Sequence, residues 1–160
     1  MKTWQKTTLI VSIAIVITGT VFFSGIYGLT YTMINSKSCT YMNIDNIETR
    51  APVSIPAVLH DEEYCSCIFD EKENSKTNYF RINTEEVEMV GYLERNFFKL
   101  IPADTNPDLS VFAKLKKSPN ITTDNKQNYY YSFGERERTA WLAVVDQSNG
   151  DLWVHLQYKD

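Results

Sequence analysis

A run of 21 residues without a charged side chain, residues 9–29, is the feature that most limits what this chain can be. As an α-helix rising about 1.5 Å per residue, the run would be ~31 Å long, which matches the hydrocarbon core of a bilayer. A cleaved secretory signal is the alternative, because Lys2 and Lys6 precede the run. Signal cores usually hold about 7–15 apolar residues before a small-x-small site. This run is longer and lacks a clean site of that kind, so we expect an uncleaved transmembrane anchor.

The basic residues around the run predict its orientation. Lys2 and Lys6 stand immediately before it, whereas Lys37 is the first charged residue after it. Positively charged flanks stay in the cytoplasm. We therefore expect residues 1–8 in the cytoplasm and the C-terminal part outside the cytoplasmic (inner) membrane, in the periplasm or at the cell surface.

The part of the chain after residue 35 carries nearly all of the charge. It holds all 20 acidic residues and 14 of the 16 basic residues, a net charge of 14 − 20 = −6. An acidic domain does not attract nucleic acid by its long-range field. The remaining length, about 125 residues, suits one domain with its own core. We expect a stalk over residues 30–51 and a single extracytoplasmic domain over residues 52–160.

A stripe of small residues follows one side of the predicted anchor. Thr20, Ser24 and Gly28 recur at four-residue spacing, which lets a second helix approach closely. Small residues are also common in membrane spans generally, so the stripe is a candidate helix-packing surface and no more.

The three cysteines all follow the predicted anchor and so lie in a compartment where disulfides form. We expect a bridge from Cys39 to Cys65 or to Cys67, leaving one thiol. Closing a loop of roughly 26–28 residues stabilises a fold by about 3 kcal/mol in the chain-entropy model. A metal site using the Cys-x-Cys pair with His60 and His155 is the weaker alternative, and we expect no metal or cofactor.

The first half of the domain predicts a hairpin and one helix. Residues 64–69 and 78–82 are typical of two strands joined by a polar turn. Asn83 and Glu86 are spaced like a capping box, and apolar residues then recur at helical spacing up to Pro102. The expected helix spans about residues 84–100, with Val87, Val90, Phe97 and Ile101 on its apolar side.

The last third predicts three strands in a meander, at residues 129–133, 138–145 and 151–158. Asn149-Gly150 is a strong signal for a two-residue hairpin turn. With that turn, Val145 would face Val154. The expected fold class is α+β, with an antiparallel sheet of about five strands, strand 138–145 in its interior, and one main helix packed on one face.

Two groups of residues are candidate binding surfaces. Tyr130, Trp153 and His155 would form an aromatic patch if they share the face of the sheet opposite the helix. Glu62 and Glu63 belong to an acidic cluster that would attract a basic partner. The same cluster could bind Ca²⁺, or could simply keep charged strand ends from pairing with other chains.

No motif of a phosphate-binding loop, a zinc protease or a serine hydrolase is present in the sequence. We therefore expect a non-catalytic protein-binding module tethered outside the membrane, such as an immunity or exclusion factor or an envelope accessory protein. The partner would be another protein at the membrane or in the envelope. An accessory subunit assembled through the transmembrane helix is the first alternative. A membrane-tethered hydrolase using His60 or His155 is the second.

Overall fold

The computed structural model describes residues 16–28, 41–59, 63–102 and 107–159. The chain divides into two compact units, Met1–Met33 and Ile34–Asp160. The described part of the first unit is helix α1, residues 16–28. In it, the Thr20 hydroxyl donates to the Val16 carbonyl (2.8 Å).

The second unit is an α+β domain built on one antiparallel sheet of six strands. Its elements in chain order are α2 (Tyr41–Arg50), β1 (Cys65–Asp70), β2 (Ser75–Arg81), α3 (Met89–Arg95), β3 (Lys99–Leu100), β4 (Tyr129–Arg136), β5 (Thr139–Asp146) and β6 (Asp151–Tyr158). The strand order is β1-β2-β6-β5-β4-β3, so β5 is interior as expected. The α+β class, the antiparallel sheet and the β4-β5-β6 meander are confirmed, with six strands in place of about five.

Both helices of this unit pack on one face of the sheet. Ile47 of α2 and Tyr92 of α3 are buried against side chains that alternate along the central strands. This core includes Phe80, Ile82, Trp141, Ala143, Val145, Leu152, Val154 and Leu156. The period-2 pattern of β5 and β6 thus produces the apolar face that the sequence predicts.

The opposite face of the sheet is covered as well. A segment with little regular structure, which includes a short 3₁₀ helix at Ser110–Phe112, packs Phe112 and Leu115 over it. These side chains contact Tyr79, Tyr129 and Trp153, all of which are buried. β6 is therefore covered on both faces, whereas the expected aromatic patch with Trp153 and His155 requires an exposed second face.

The expected stalk contains a helix of the domain. Residues Tyr41–Arg50 form α2, and its Ile47 is fully buried in the core. The Asn43 amide donates to the Asn78 side chain (3.1 Å), which ties α2 to β2. The apolar residues 44 and 47 are too few to predict an amphipathic helix from sequence. They form a buried side of α2 only because the sheet lies beneath them.

The expected long helix over residues 84–100 is much shorter. Asn83 caps a turn, with its side-chain amide donating to Glu86 (2.8 Å), but α3 begins only after Glu88. The Glu88 carboxylate accepts from the backbone N–H groups of Val90 and Gly91, two of the free donors in the first turn of the helix. α3 then ends at Arg95.

The last hairpin has a longer turn than Asn149-Gly150 alone predicts. Val145 faces Leu152, and Asp146 faces Asp151, so four residues form the loop. The Asp146 carboxylate accepts from the Ser148 N–H (2.9 Å) and hydroxyl (2.6 Å), which stabilises this wider loop. The expected register was therefore wrong by two residues. A shift by two residues leaves each side chain on the same face of the sheet, so the predicted faces are correct.

Among the described residues, no helix combines the length and the apolar character needed to cross a membrane. Residues 9–15 and Leu29 of the predicted anchor lie outside the part that the structure describes.

Candidate protein-binding surface

The predicted aromatic patch is not formed. Trp153 is only 1% exposed, and its indole N–H donates to the Lys117 carbonyl (2.8 Å) under the covering segment. Tyr130 packs on the other face of the sheet, against the helix-side core. His155 shares the face of Trp153 but is separated from Tyr130 by the sheet itself. The three side chains therefore do not present one common surface.

His155 is half-buried and held by neighbouring side chains. Its Nδ1 lies 2.9 Å from the Thr77 hydroxyl, and its ring meets Phe112 edge-on at 6.5 Å between centroids. Burial lowers the pKa of His155 below its ordinary value, so the ring is neutral at neutral pH. His155 lines a cleft of the domain together with Asp70 and Lys114, which form an ion pair.

The structure describes only some of the other predicted site residues. Glu63 is exposed, while Glu62, His60 and Cys39 are outside the described residues. Within the part that is described, no group of three or more His, Cys, Asp or Glu side chains could hold a metal ion. Cys67 is a free, buried thiol, and desolvation raises its pKa to about 11. Ser24 and Gly28 lie on α1 with Thr20.

A different surface stands out at the β3–β4 edge of the sheet. β3 contains only Lys99 and Leu100, which face Tyr131 and Tyr130. Across the described ranges, no strand lies beside residues 132–136 on that side of β4. More than half of β4 is therefore an open edge.

The backbone of this edge is available for pairing. The Tyr129 carbonyl accepts from the Ile101 N–H (3.1 Å), so it points away from β5. Alternate residues of a strand direct their backbone groups to the same side. Phe133 and Glu135 therefore direct their N–H and C=O groups to the open edge, where an added strand would find them.

Phe97 lies at one end of the open edge and has a strained backbone conformation. It follows α3 with φ +56°, and the Phe97 and Phe98 N–H groups bond to the Glu94 and Leu93 carbonyls, as in a Schellman motif. Glycine is the usual residue at this position, because a side chain there strains the backbone by about 1 kcal/mol or more. The Phe97 side chain is nevertheless 77% exposed. Neither the backbone nor the core explains a phenylalanine here.

Phe133 provides a second exposed aromatic side chain. It is 67% exposed and stacks on Tyr131 at 5.6 Å between centroids, with the two rings nearly parallel. Gly134, next to it, lets the Trp141 ring lie against the strand, since a Cβ at Gly134 would be 3.1 Å from that ring.

These residues line one groove that wraps around the sheet edge, which we call the edge groove. Trp141 belongs to the helix-side core and Tyr131 packs with the core on the other face, so the groove has walls from both faces. Its lining residues are Pro52, Asn96, Phe97, Lys99, Tyr131, Ser132, Phe133 and Trp141. The lining is mostly apolar, and Lys99 is the one charged residue among the described residues that form it.

The edge groove was not predicted, because the helical spacing of the apolar residues places Phe97 on the apolar side of a long helix. One signal was present: Phe97 and Phe98 are adjacent, and a single helical stripe cannot bury both. In the structure Phe98 is the buried one.

No family model matches the chain, and neither a curated protein nor a solved structure matches it. The surfaces of the chain itself therefore carry the functional argument.

Proposed function

We propose that this chain is a single-pass, membrane-anchored module that binds another protein outside the cytoplasmic membrane and catalyses no reaction. Its binding surface is the edge groove, and its partner contributes an extended segment that pairs with β4. The observation that carries the proposal is the open stretch of β4 beside two exposed phenylalanines, Phe97 and Phe133.

Strand addition at an open edge is a common way to bind a peptide segment. Backbone hydrogen bonds supply affinity, and pockets for alternate side chains supply specificity. An exposed apolar edge is otherwise an aggregation hazard that proteins cover or charge. Here the charged residues Glu135 and Arg136 lie at one end of the open stretch, whereas Phe133 leaves the part beside the groove apolar, which favours a surface kept free for a partner.

The groove also limits the chemistry of the partner segment. An added strand would lie between Phe97 and Trp141 on one side and Phe133 on the other, so it needs an apolar side chain at a groove-facing position. Lys99 is exposed and is the charged residue that the structure describes in the groove lining. An acidic residue near that end of the segment complements it.

The proposal includes a disulfide between Cys39 and Cys65. Cys67 is buried with a free thiol, whereas Cys65 is half-buried at the beginning of β1 and is not among the free cysteines of the described residues. Cys39 stands two residues before α2, the helix that Asn43 ties to β2. A bridge there would join the segment after residues 9–29 to the sheet.

The strand-addition test uses one position of the free edge. Glu135→Pro removes an N–H that points away from β5, and the ring obstructs an added strand. Glu135→Ala removes the same side chain, with its ion pair to Lys159, but keeps the N–H. The full chain is expressed in membranes and crosslinked, and the co-purified proteins are quantified by mass spectrometry.

We expect Glu135→Pro to lower recovery of the partner about tenfold, since 1.4 kcal/mol of binding energy corresponds to that factor. Glu135→Ala should leave recovery within twofold of wild type. Equal recovery from the proline and alanine variants would contradict strand addition. A crosslinked product that contains two copies of this chain would show that the edge binds a second copy of the chain in place of another protein.

The anchor is tested separately with an enzyme reporter that is active only outside the cytoplasm. Fused after residue 160 it should be active, and fused before residue 1 it should be inactive. Release of the protein from membranes by alkaline carbonate would contradict a permanent anchor.

A further inference from the structure

A second cleft, independent of the edge groove, is built over a buried carboxylate. Asp151 begins β6, and its side chain is only 2% exposed. The Tyr79 hydroxyl donates to its Oδ1 (2.7 Å), and the Arg81 Nε and Nη2 groups lie 2.9 Å from the same oxygen. The Lys117 ammonium lies 2.7 Å from Oδ2.

Two cations thus surround one carboxylate, which leaves excess positive charge. Lys116, exposed beside Lys117, adds another cation to the cleft, and Glu63 is the acidic residue among the described residues that line it. Over these described residues and Asp151, three cations and two carboxylates give a local sum of 3 − 2 = +1, although the chain as a whole has a net charge of −4. A buried Asp requires one counter-charge to be neutral, so structural pairing alone does not account for all three cations.

Cation–π contacts hold the two paired cations in place. The Arg81 guanidinium lies 5.1 Å from the centre of the Tyr64 ring, and the Lys117 ammonium lies 5.4 Å from that of Tyr79. The Lys117 backbone is fixed by the hydrogen bond from Trp153. Side chains ordered in advance lose less entropy when a ligand binds.

The paired cations keep unused donors. Arg81 has five N–H groups and Lys117 has three. Two of the former and one of the latter engage Asp151, which leaves N–H groups from both side chains for a ligand. A planar guanidinium next to two ammonium groups suits an oxyanion with several acceptor oxygens.

We propose that the cleft lined by Glu63, Tyr64, Tyr79, Arg81, Lys116 and Lys117 binds a phosphate group. Free phosphate compounds and the headgroups of anionic lipids share this chemistry. The proposal does not depend on the edge groove, which contains none of these residues.

The probe is inorganic phosphate, titrated by calorimetry into the full chain in neutral detergent. Lys116→Glu reverses an exposed charge that pairs with no carboxylate in the described part of the domain, so the fold should survive it. Lys72→Glu makes the same change at an exposed residue that does not line the cleft. We expect saturable binding to wild type, weakened at least about tenfold by Lys116→Glu and less than twofold by Lys72→Glu.

Absence of saturable binding to wild type would overturn the proposal, as would equal weakening by the two charge reversals. Arg81→Lys keeps the positive charge but removes the planar guanidinium with its fork of N–H donors. It should weaken binding with little change in circular dichroism. Repeating the titration in phosphatidylcholine nanodiscs with and without phosphatidylglycerol distinguishes the sources. Competition by phosphatidylglycerol assigns the site to a lipid headgroup, and its absence assigns it to a free phosphate compound.

Discussion

Phe97 combines a strained backbone conformation with an exposed aromatic side chain. Its positive φ favours glycine, and its side chain is mostly in solvent. Strain of this kind persists where a surrounding structure enforces it, often at binding sites. We interpret Phe97 as retained for contact with a partner.

We predict that Phe97→Gly stabilises the fold by about 1 kcal/mol, because glycine adopts this backbone conformation without strain. The same change should weaken partner recovery. Urea unfolding measures the first effect and crosslinking the second. Glu137→Gly is the matched control, since Glu137 also has a positive φ (53°) but does not line the edge groove. It should stabilise the fold and leave recovery unchanged; a parallel loss in both variants would refute the role of Phe97.

We predict that His155 makes the stability of the domain depend on pH. Burial lowers its folded-state pKa, so the unfolded chain, with an ordinary pKa near 6.5, binds a proton that the folded chain does not. Stability should therefore fall as the pH drops below about 6.5, until the lower folded-state pKa is reached. His155→Gln should reduce the change of the urea unfolding midpoint between pH 7 and pH 5.5. A variant that retained the full wild-type slope would show that other groups cause it.

At the scale of elements, the β5–β6 turn connects the sheet to the chain before α3. Gly150 has φ +71°, and its carbonyl accepts from the Ile82 N–H (2.8 Å). A Cβ at this position would lie 2.9 Å from the Ile82 carbonyl oxygen and 2.8 Å from Thr84 Cγ2.

We predict that Gly150→Ala destabilises the domain by about 1–3 kcal/mol, because the backbone is strained and the carbonyl contact cannot be relieved by a rotamer change. The urea midpoint measures the effect. Asn149→Ala, in the same turn, should have a smaller effect, since it removes only the bond from the Asn149 amide to Asp146. A larger loss in the asparagine variant would show that the turn is stabilised mainly by that side chain.

The whole molecule, as we propose it, depends on a bridge that only an oxidising compartment permits. We predict that the chain purified from membranes without reductant, then unfolded and alkylated, has one free thiol. Cys67→Ser should have none and Cys65→Ser should have two, because Cys39 would pair with Cys65. Mass spectrometry counts the added groups. Three free thiols in the wild type would contradict both the bridge and the extracytoplasmic location.

Part of this structure follows from short-range patterns. Alternation along β5 and β6 predicted which side chains share a face, and an error of two residues in the turn left those faces unchanged. The β1–β2 hairpin also followed from two strand-like runs around a polar turn. These features depend on neighbours in sequence, so pattern alone was sufficient.

Other features depend on residues that are distant in sequence. Whether Trp153 is buried was decided by the segment around Phe112, which covers the second face of the sheet. α2 is amphipathic only in relation to the sheet on which Ile47 packs. The edge groove exists because α3 ends early and β3 is short.

By itself, the sequence determined the uncharged run that predicts the anchor, the charge of the domain and the parity of its strands, because each is a property of adjacent residues. The tertiary structure alone decided which faces are covered, where β4 lacks a neighbour and which cations gather around Asp151. Those are properties of surfaces, and surfaces are defined only when remote segments meet.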